Sequence, residues 1–136
     1  MKSDLIRIYN NTAYHVPELD LVILPGQENV RLKEVLSQYG AHTFAFITAY
    51  NPQGIETAKV LNIAAHQRLI GDIIHAGMDY MEGFGQGSDG WVDENSLFIP
   101  GISLKEALSL ARKYRQNAFV FGEKAGLPVI VWTADK

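Results

Sequence analysis

The segment Phe44-Ala-Phe-Ile-Thr-Ala-Tyr-Asn-Pro52 constrains the fold of this chain more than any other. Residues 43–50 form an apolar run too short for a typical helix, and Gly40 and Asn51-Pro52 bound it, so it reads as a central strand covered on both faces. Its two faces differ. Ala45, Ile47 and Ala49 point one way and are small enough for a helix to approach closely, while Phe44, Phe46, Thr48 and Tyr50 point the other way. The second face turns polar toward its C-terminal end.

The flanking sequence is read from the same periodicities. Ile6 and Ile8 alternate with Arg7 and Tyr9, so residues 5–15 are expected to be a strand, paired as a hairpin with a second strand over Leu21-Val-Ile-Leu24. Leu32, Val35, Leu36 and Tyr39 fall at helical spacing, and Gly40 ends that helix, expected over residues 29–39. Leu61, Ala65, Leu69 and Ile73 mark a longer helix within residues 55–76. A short strand over 78–82 follows. Gly83-Phe-Gly-Gln-Gly-Ser-Asp-Gly90 reads as a loop, because four glycines in eight residues are costly in regular structure. Residues 96–99 return to an extended pattern. Ser103-Leu-Lys-Glu106 is a capping box opening a helix to about Arg115, and residues 118–121 and 128–132 form a closing hairpin. The expected fold is an α/β (α+β) sandwich of two or three layers. It forms one domain over residues 1–136, with a mixed sheet and three helices in the order ββαβαββαββ.

Composition removes several function classes. A chain of 136 residues buries roughly two-thirds of its unfolded surface in one core. A net charge of -3 and scattered basic residues exclude a broad phosphate-neutralising surface, so no nucleic-acid partner is expected. No apolar run approaches the roughly 20 residues of a membrane helix, and charge interrupts the N-terminus too early for a signal peptide. With zero cysteines there is no disulfide framework, thiolate nucleophile or thiolate-bound zinc, and the cytoplasm is the expected compartment.

The chemical motifs are weighed against plainer roles. Gly85-Gln-Gly-Ser-Asp-Gly90 matches the dinucleotide fingerprint literally, but extended and aromatic residues follow it where a helix is required, so it is not read as a nucleotide site. Glu82, Asp89, Asp93 and Glu94 match no known metal loop and are read as acids on solvated turns. No metal is expected. His15, His42, His66 and His75 contain no i, i+4 pair, although His66 shares a helix face with Asn62. No serine sits at a strand-to-helix elbow. The aromatic residues Tyr50, Phe84, Trp91, Phe121 and Trp132 serve either core packing or stacking on a planar ligand. Thr48-Ala-Tyr-Asn-Pro52 places polar groups at the carboxyl end of a strand, where α/β proteins site ligands; turn formation and helix capping account for it equally well.

Around these residues the chain resembles the DUF3293 family of small, mostly bacterial proteins of unknown function. The resemblance rests on Phe46-Ile-Thr-Ala-Tyr-Asn-Pro52, Asn62, Glu82-Gly83, Trp91, Glu94 with Ser96, and Gln116-Asn-Ala118 before a strand. It runs from about Tyr9 to the C-terminus. Trp91 stands three positions before Glu94, where the family's tryptophan stands two before its glutamate, leaving Asp93 as the alternative aligned acid. The resemblance implies that Thr48, Asn51, Asn62, Glu82, Glu94, Ser96 and Gln116 form one shared polar arrangement.

The leading expectation is a domain that binds a small polar ligand, or an enzyme not yet described, with its pocket at the end of the 43–50 strand under the Gly83–Gly90 loop. Thr48, Tyr50, Asn51, Asn62, His66, Trp91, Ser96 and Gln116 would contact the ligand. Glu82 or Glu94 would act as general base or metal ligand if chemistry occurs. The competing expectation is a non-catalytic interaction or regulatory module, a homo-oligomer or the partner of another protein, in which the same groups are internal hydrogen bonds. No cofactor is specified by the sequence.

Overall fold

The structure is a computed structural model that describes residues 2–87 and 94–134, with side chains described from Asp4 onward. Four helices and seven strands succeed one another as α1 (Lys2–Asn10), β1 (Ala13–Val16), β2 (Leu21–Ile23), α2 (Val30–Tyr39), β3 (Thr43–Thr48), α3 (Lys59–His75), β4 (Met81–Gln86), β5 (Glu94–Pro100), α4 (Leu104–Lys113), β6 (Ala118–Glu123) and β7 (Val129–Trp132). The strands form one sheet in the order β2-β1-β4-β5-β3-β6-β7.

The expected mixed sheet is instead antiparallel at every described pairing. The cause is insertion. The crossovers β3-α3-β4 and β5-α4-β6 do join strands that run the same way, but β5 lies between the first pair and β3 between the second. Residues 43–123 thus have the connectivity of a split βαβ, or ferredoxin-like, unit with both helices on one face. The β1–β2 hairpin extends one edge and β7 the other.

Within β3 the two faces behave as their side chains dictate; Tyr50, expected on the phenylalanine face, lies past the strand's end and turns instead toward His66 of α3. Ala45, Ile47 and Ala49 join Leu97 and Ile99 under α3 and α4, which contribute Leu69, Ile73, Ala107 and Ala111. Phe44 and Phe46 join Phe98, Val120 and the hairpin residues Val16, Leu21 and Ile23 under α2. The small side chains let two helices lie close; the large ones fill the wider gap beneath α2. Local signals start and stop α2 and α4 as expected. Asn29 accepts from the Leu32 amide and Gly40 closes α2 in left-handed geometry, and the Ser103–Glu106 capping box is present in both directions.

Two expectations about local structure are corrected. Residues 2–10 form a helix, α1, giving four helices rather than three. The alternation of Ile6 and Ile8 competes with the i, i+3, i+4 set Leu5, Ile8 and Tyr9, and the helical set prevails: these three are half-buried, while Ile6 is 45% exposed. The glycine-rich loop is also shorter than expected, since Gly83–Gln86 belong to β4. Gly83 sits where a Cβ would lie 2.5 Å from the His15 carbonyl and 2.9 Å from the Phe46 ring. Here glycine permits close approach of three strands rather than breaking one. Among the described residues no helix is long and apolar enough to cross a membrane.

Candidate functional site

On the phenylalanine face of the sheet, beyond Phe46, a cavity of about 260 Å³ opens between the strand ends and α1. Its floor carries Thr48 from β3, Glu94 and Ser96 from β5, Gly85 from β4, and Gln116 and Ala118 at the start of β6. The turn Asn51–Gly54 closes one end. Leu5, Ile8 and Tyr9 of α1, with Thr12 and Tyr14, form the opposite wall. Register explains the convergence: Thr48 stands directly across from Ser96, and Ser96 from Gly83, so alternate residues of β3 and β5 share this face.

The turn is held by a closed set of hydrogen bonds. The Asn51 amide donates to Asn62 Oδ1 at 2.9 Å, while Asn51 Oδ1 accepts from the Thr57 amide at 2.9 Å and from Asn62 Nδ2 at 2.9 Å. Backbone N–H groups only donate, which sets both side-chain amide orientations. Asn51 Nδ2 therefore faces Glu94 and donates to its Oε2 at 2.9 Å. The backbone here is strained: Asn51, Gln53 and Arg115 have φ of 48°, 59° and 58°, and the Gln53 amide donates to the Arg115 carbonyl at 2.7 Å.

Most hydroxyl and amide protons around the cavity are committed to the backbone. Thr12 Oγ1 donates to Ile8 O at 2.7 Å, Tyr14 Oη to Tyr9 O at 3.0 Å, Thr48 Oγ1 to Asn95 O at 2.6 Å and Ser96 Oγ to Glu94 O at 3.1 Å. Gln116 Nε2 donates to the carbonyls of Tyr50 at 3.0 Å and Tyr114 at 3.3 Å. Burial raises the Tyr9 pKa and the charge of Glu94 adds to it, against the bond from Asn117. Burial, then the neighbouring Tyr9 and Glu94, push Tyr14 well above the ordinary tyrosine value, against Thr12. Both phenols are neutral at physiological pH.

A second polar cluster occupies the opposite, α3-covered face. His66 is buried and its Nε2 lies 2.8 Å from Oε1 of the half-exposed Glu82, while Nδ1 is buried with no partner. An unpartnered lone pair costs less than an unpartnered N–H, so of the two neutral tautomers the one with its proton on Nε2, donating to Glu82, fits this geometry. The Tyr50 ring meets His66 edge-on at 6.0 Å, and Tyr50 Oη accepts from Asn95 Nδ2 at 3.1 Å.

The sequence-derived residues therefore divide. Thr48, Asn51, Glu94, Ser96 and Gln116 line the cavity. Asn62 stands behind it as the brace of Asn51. Tyr50, His66 and Glu82 gather across the sheet, so the single polar arrangement is two. Trp91, Asp89 and Asp93 lie outside the described residues. Of the other aromatic residues, Phe121 is in the core, Phe84 stacks on His15 at 4.7 Å and Trp132 meets Tyr9 edge-on at 5.2 Å. Among the described residues no three His, Cys, Asp or Glu side chains are grouped to hold a metal. Tyr9, Thr12 and Tyr14 were not anticipated. The spacing Leu5, Ile8, Tyr9, Thr12, read as a helical face, is the signal that reveals the first two; Tyr14 follows on β1.

Residues 47–119, more than half of the 136-residue chain, match the family model for DUF3293, described as a protein of unknown function. The chain belongs to this family. No curated protein and no solved structure matches it. The DUF3293 match begins near the end of β3 and ends inside β6, so it contains every polar side chain of the cavity floor; α1 and β1 lie before it.

Proposed function

We propose that this DUF3293 protein binds a small polar ligand in the cavity between the floor of the sheet and α1. The supporting observation is convergence: side chains from β3, the Asn51 turn, β5 and the start of β6 meet around one cavity, opposite a mostly apolar wall. At about 30 Å³ per water molecule, the volume of about 260 Å³ holds roughly nine waters, the scale of a ligand with on the order of ten non-hydrogen atoms. The strained Asn51–Gly54 turn adds weight, because backbone strain concentrates at binding sites. Glu94 is the carboxylate positioned for proton transfer if the ligand reacts; Glu82 serves the other face. Among the described residues the roof of the pocket in this reading is α1, and residues 88–90 of the glycine loop lie outside the described residues.

The test is an amide NMR screen of the full chain with amino acids, amines, nucleobases and carboxylates, beside the plugged variant Leu5→Trp. A ligand should shift the amides of Thr48, Ser96 and Gln116, and the shifts should vanish in Leu5→Trp. Millimolar compounds that leave those amides unmoved would defeat the reading and favour an interaction module.

A further inference from the structure

The hydrogen-bond roles around the cavity point to the chemistry of its ligand. With their protons held by carbonyls, Thr12, Tyr14, Thr48 and Ser96 can offer a ligand only oxygen lone pairs, and Gln116 only its Oε1. Glu94 adds a carboxylate whose Oε2 is oriented by Asn51. The remaining side-chain donors are few: the Tyr9 hydroxyl, the second amide proton of Asn51 and the side-chain amide of Gln53 at the exposed rim. Glu94 is also the one charged side chain among the described lining residues, which include no Lys, Arg or His. A site rich in acceptors with a negative charge is matched by a ligand rich in donors with a positive one.

The apolar part of the lining narrows the class further. A hard metal cation takes six or more oxygen ligands and usually several carboxylates, and among the described residues no such group exists. Leu5, Ile8, Tyr9, Tyr14 and Phe46 instead present hydrocarbon and aromatic faces, on which an organic cation gains both burial and attraction to the rings.

We infer that the cavity receives a small organic cation with several N–H donors: an ammonium, amidinium or guanidinium head on Glu94, Ser96 and Gln116, and a short apolar body against α1 and Phe46. This inference rests on the ligand-binding reading above and assigns the class of ligand to that site.

Four probes of one shape separate the two statements: benzylamine and benzamidine as cations, benzyl alcohol as the neutral analogue and benzoate as the anion. Each is titrated into the full-length protein at about pH 7 and followed through the amides of Thr48, Ser96 and Gln116. Benzylamine and benzamidine should bind about tenfold or more tightly than benzyl alcohol, and benzoate should not bind. Glu94→Gln keeps an acceptor for Asn51 and removes the charge, so it should weaken the cations by about tenfold or more and the alcohol by far less. Alcohol or benzoate binding at the same amides as tightly as the cations overturns the cationic class and leaves the cavity a ligand site. Unchanged cation binding in Glu94→Gln overturns it too. Failure of all four probes to move these amides overturns the cationic class, while the broader screen decides the ligand-binding reading separately. Where Glu94→Gln does not fold, the wild-type ratio of benzylamine to benzyl alcohol affinity decides, and a ratio near one refutes the inference.

Discussion

Replacing Gly83 and Gly85 separately by alanine tests whether the glycines of β4 are there to admit neighbours or merely mark flexible backbone. Both sit in extended strand, so alanine fits the backbone of each. At Gly83 a Cβ would lie 2.5 Å from the His15 carbonyl oxygen and 2.9 Å from Phe46 Cε2, and a paired backbone cannot step aside as a flexible side chain can. Overpacking costs about 1–3 kcal/mol, and a 2.5 Å contact with paired backbone belongs at the upper end; less a gain of about 0.4–1 kcal/mol from the less flexible unfolded chain, the net loss is about 2 kcal/mol. An unfolding entropy of about 2.1 cal/mol/K per residue gives roughly 0.3 kcal/mol/K for 136 residues, so Gly83→Ala should lower Tm by about 7 °C. At Gly85 the nearest atoms are Thr12 Cγ2 at 3.4 Å and Tyr14 ring carbons at 3.6 and 3.7 Å, which is near-ordinary contact. There the unfolded-state term prevails and Tm should rise by about 1–3 °C. Differential scanning calorimetry of the two variants under identical conditions is decisive. Gly83→Ala melting at or above wild type, or both variants falling equally, would refute the reasoning.

Other perturbations read out the braces around the site. Asn62→Ala removes the acceptor of the part-buried Asn51 amide and should cost about 1–3 kcal/mol in urea unfolding, together with weaker binding of any ligand the NMR screen finds as Asn51 loses its aim at Glu94; full retention of both would show that the turn stands without it. Asp72, on α3, should confer an acid-side pH dependence. Burial raises its pKa, but hydrogen bonds from Lys113 and Tyr114 outweigh that and hold it below the ordinary 3.8. A depressed carboxylate binds fewer protons folded than unfolded, so its contribution is complete above the ordinary value and is lost as pH falls through the folded one. Melts of wild type and Asp72→Asn from pH 6 to 2.5 should therefore converge at the acid end; parallel curves would exclude Asp72 as a source.

Much of this fold was legible because it is written locally. Asn29, Gly40 and the Ser103–Glu106 pair each satisfy orphan backbone groups of their own helix, and β3 declares its two faces by side-chain size. What was not legible depends on partners distant in sequence. No periodicity within β3 or β4 reveals that β5 will insert between them, and the glycines of β4 are explained only by His15 and Phe46. The site divided along the same line. Thr48, Asn51, Ser96 and Gln116 stand near element ends whose placement the pattern gives, whereas Tyr9 and Tyr14 required knowing that α1 is a helix and folds back. The sequence places Glu82 with Glu94 beside the glycines, whereas pairing across from Leu97 decides which face its side chain takes.

The boundary of the family match also divides the cavity into parts of different kind. Its floor, within residues 47–119, carries the carboxylate and most of the acceptors; its far wall is supplied by a nine-residue helix and the strand after it, outside that span. The wall residues Leu5 and Ile8 set room and shape without taking part in the bonds that orient the floor. On the ligand-binding proposal, selectivity for a ligand's body would be rewritten by exchanging a few N-terminal side chains, with the groups proposed to grip its head left untouched.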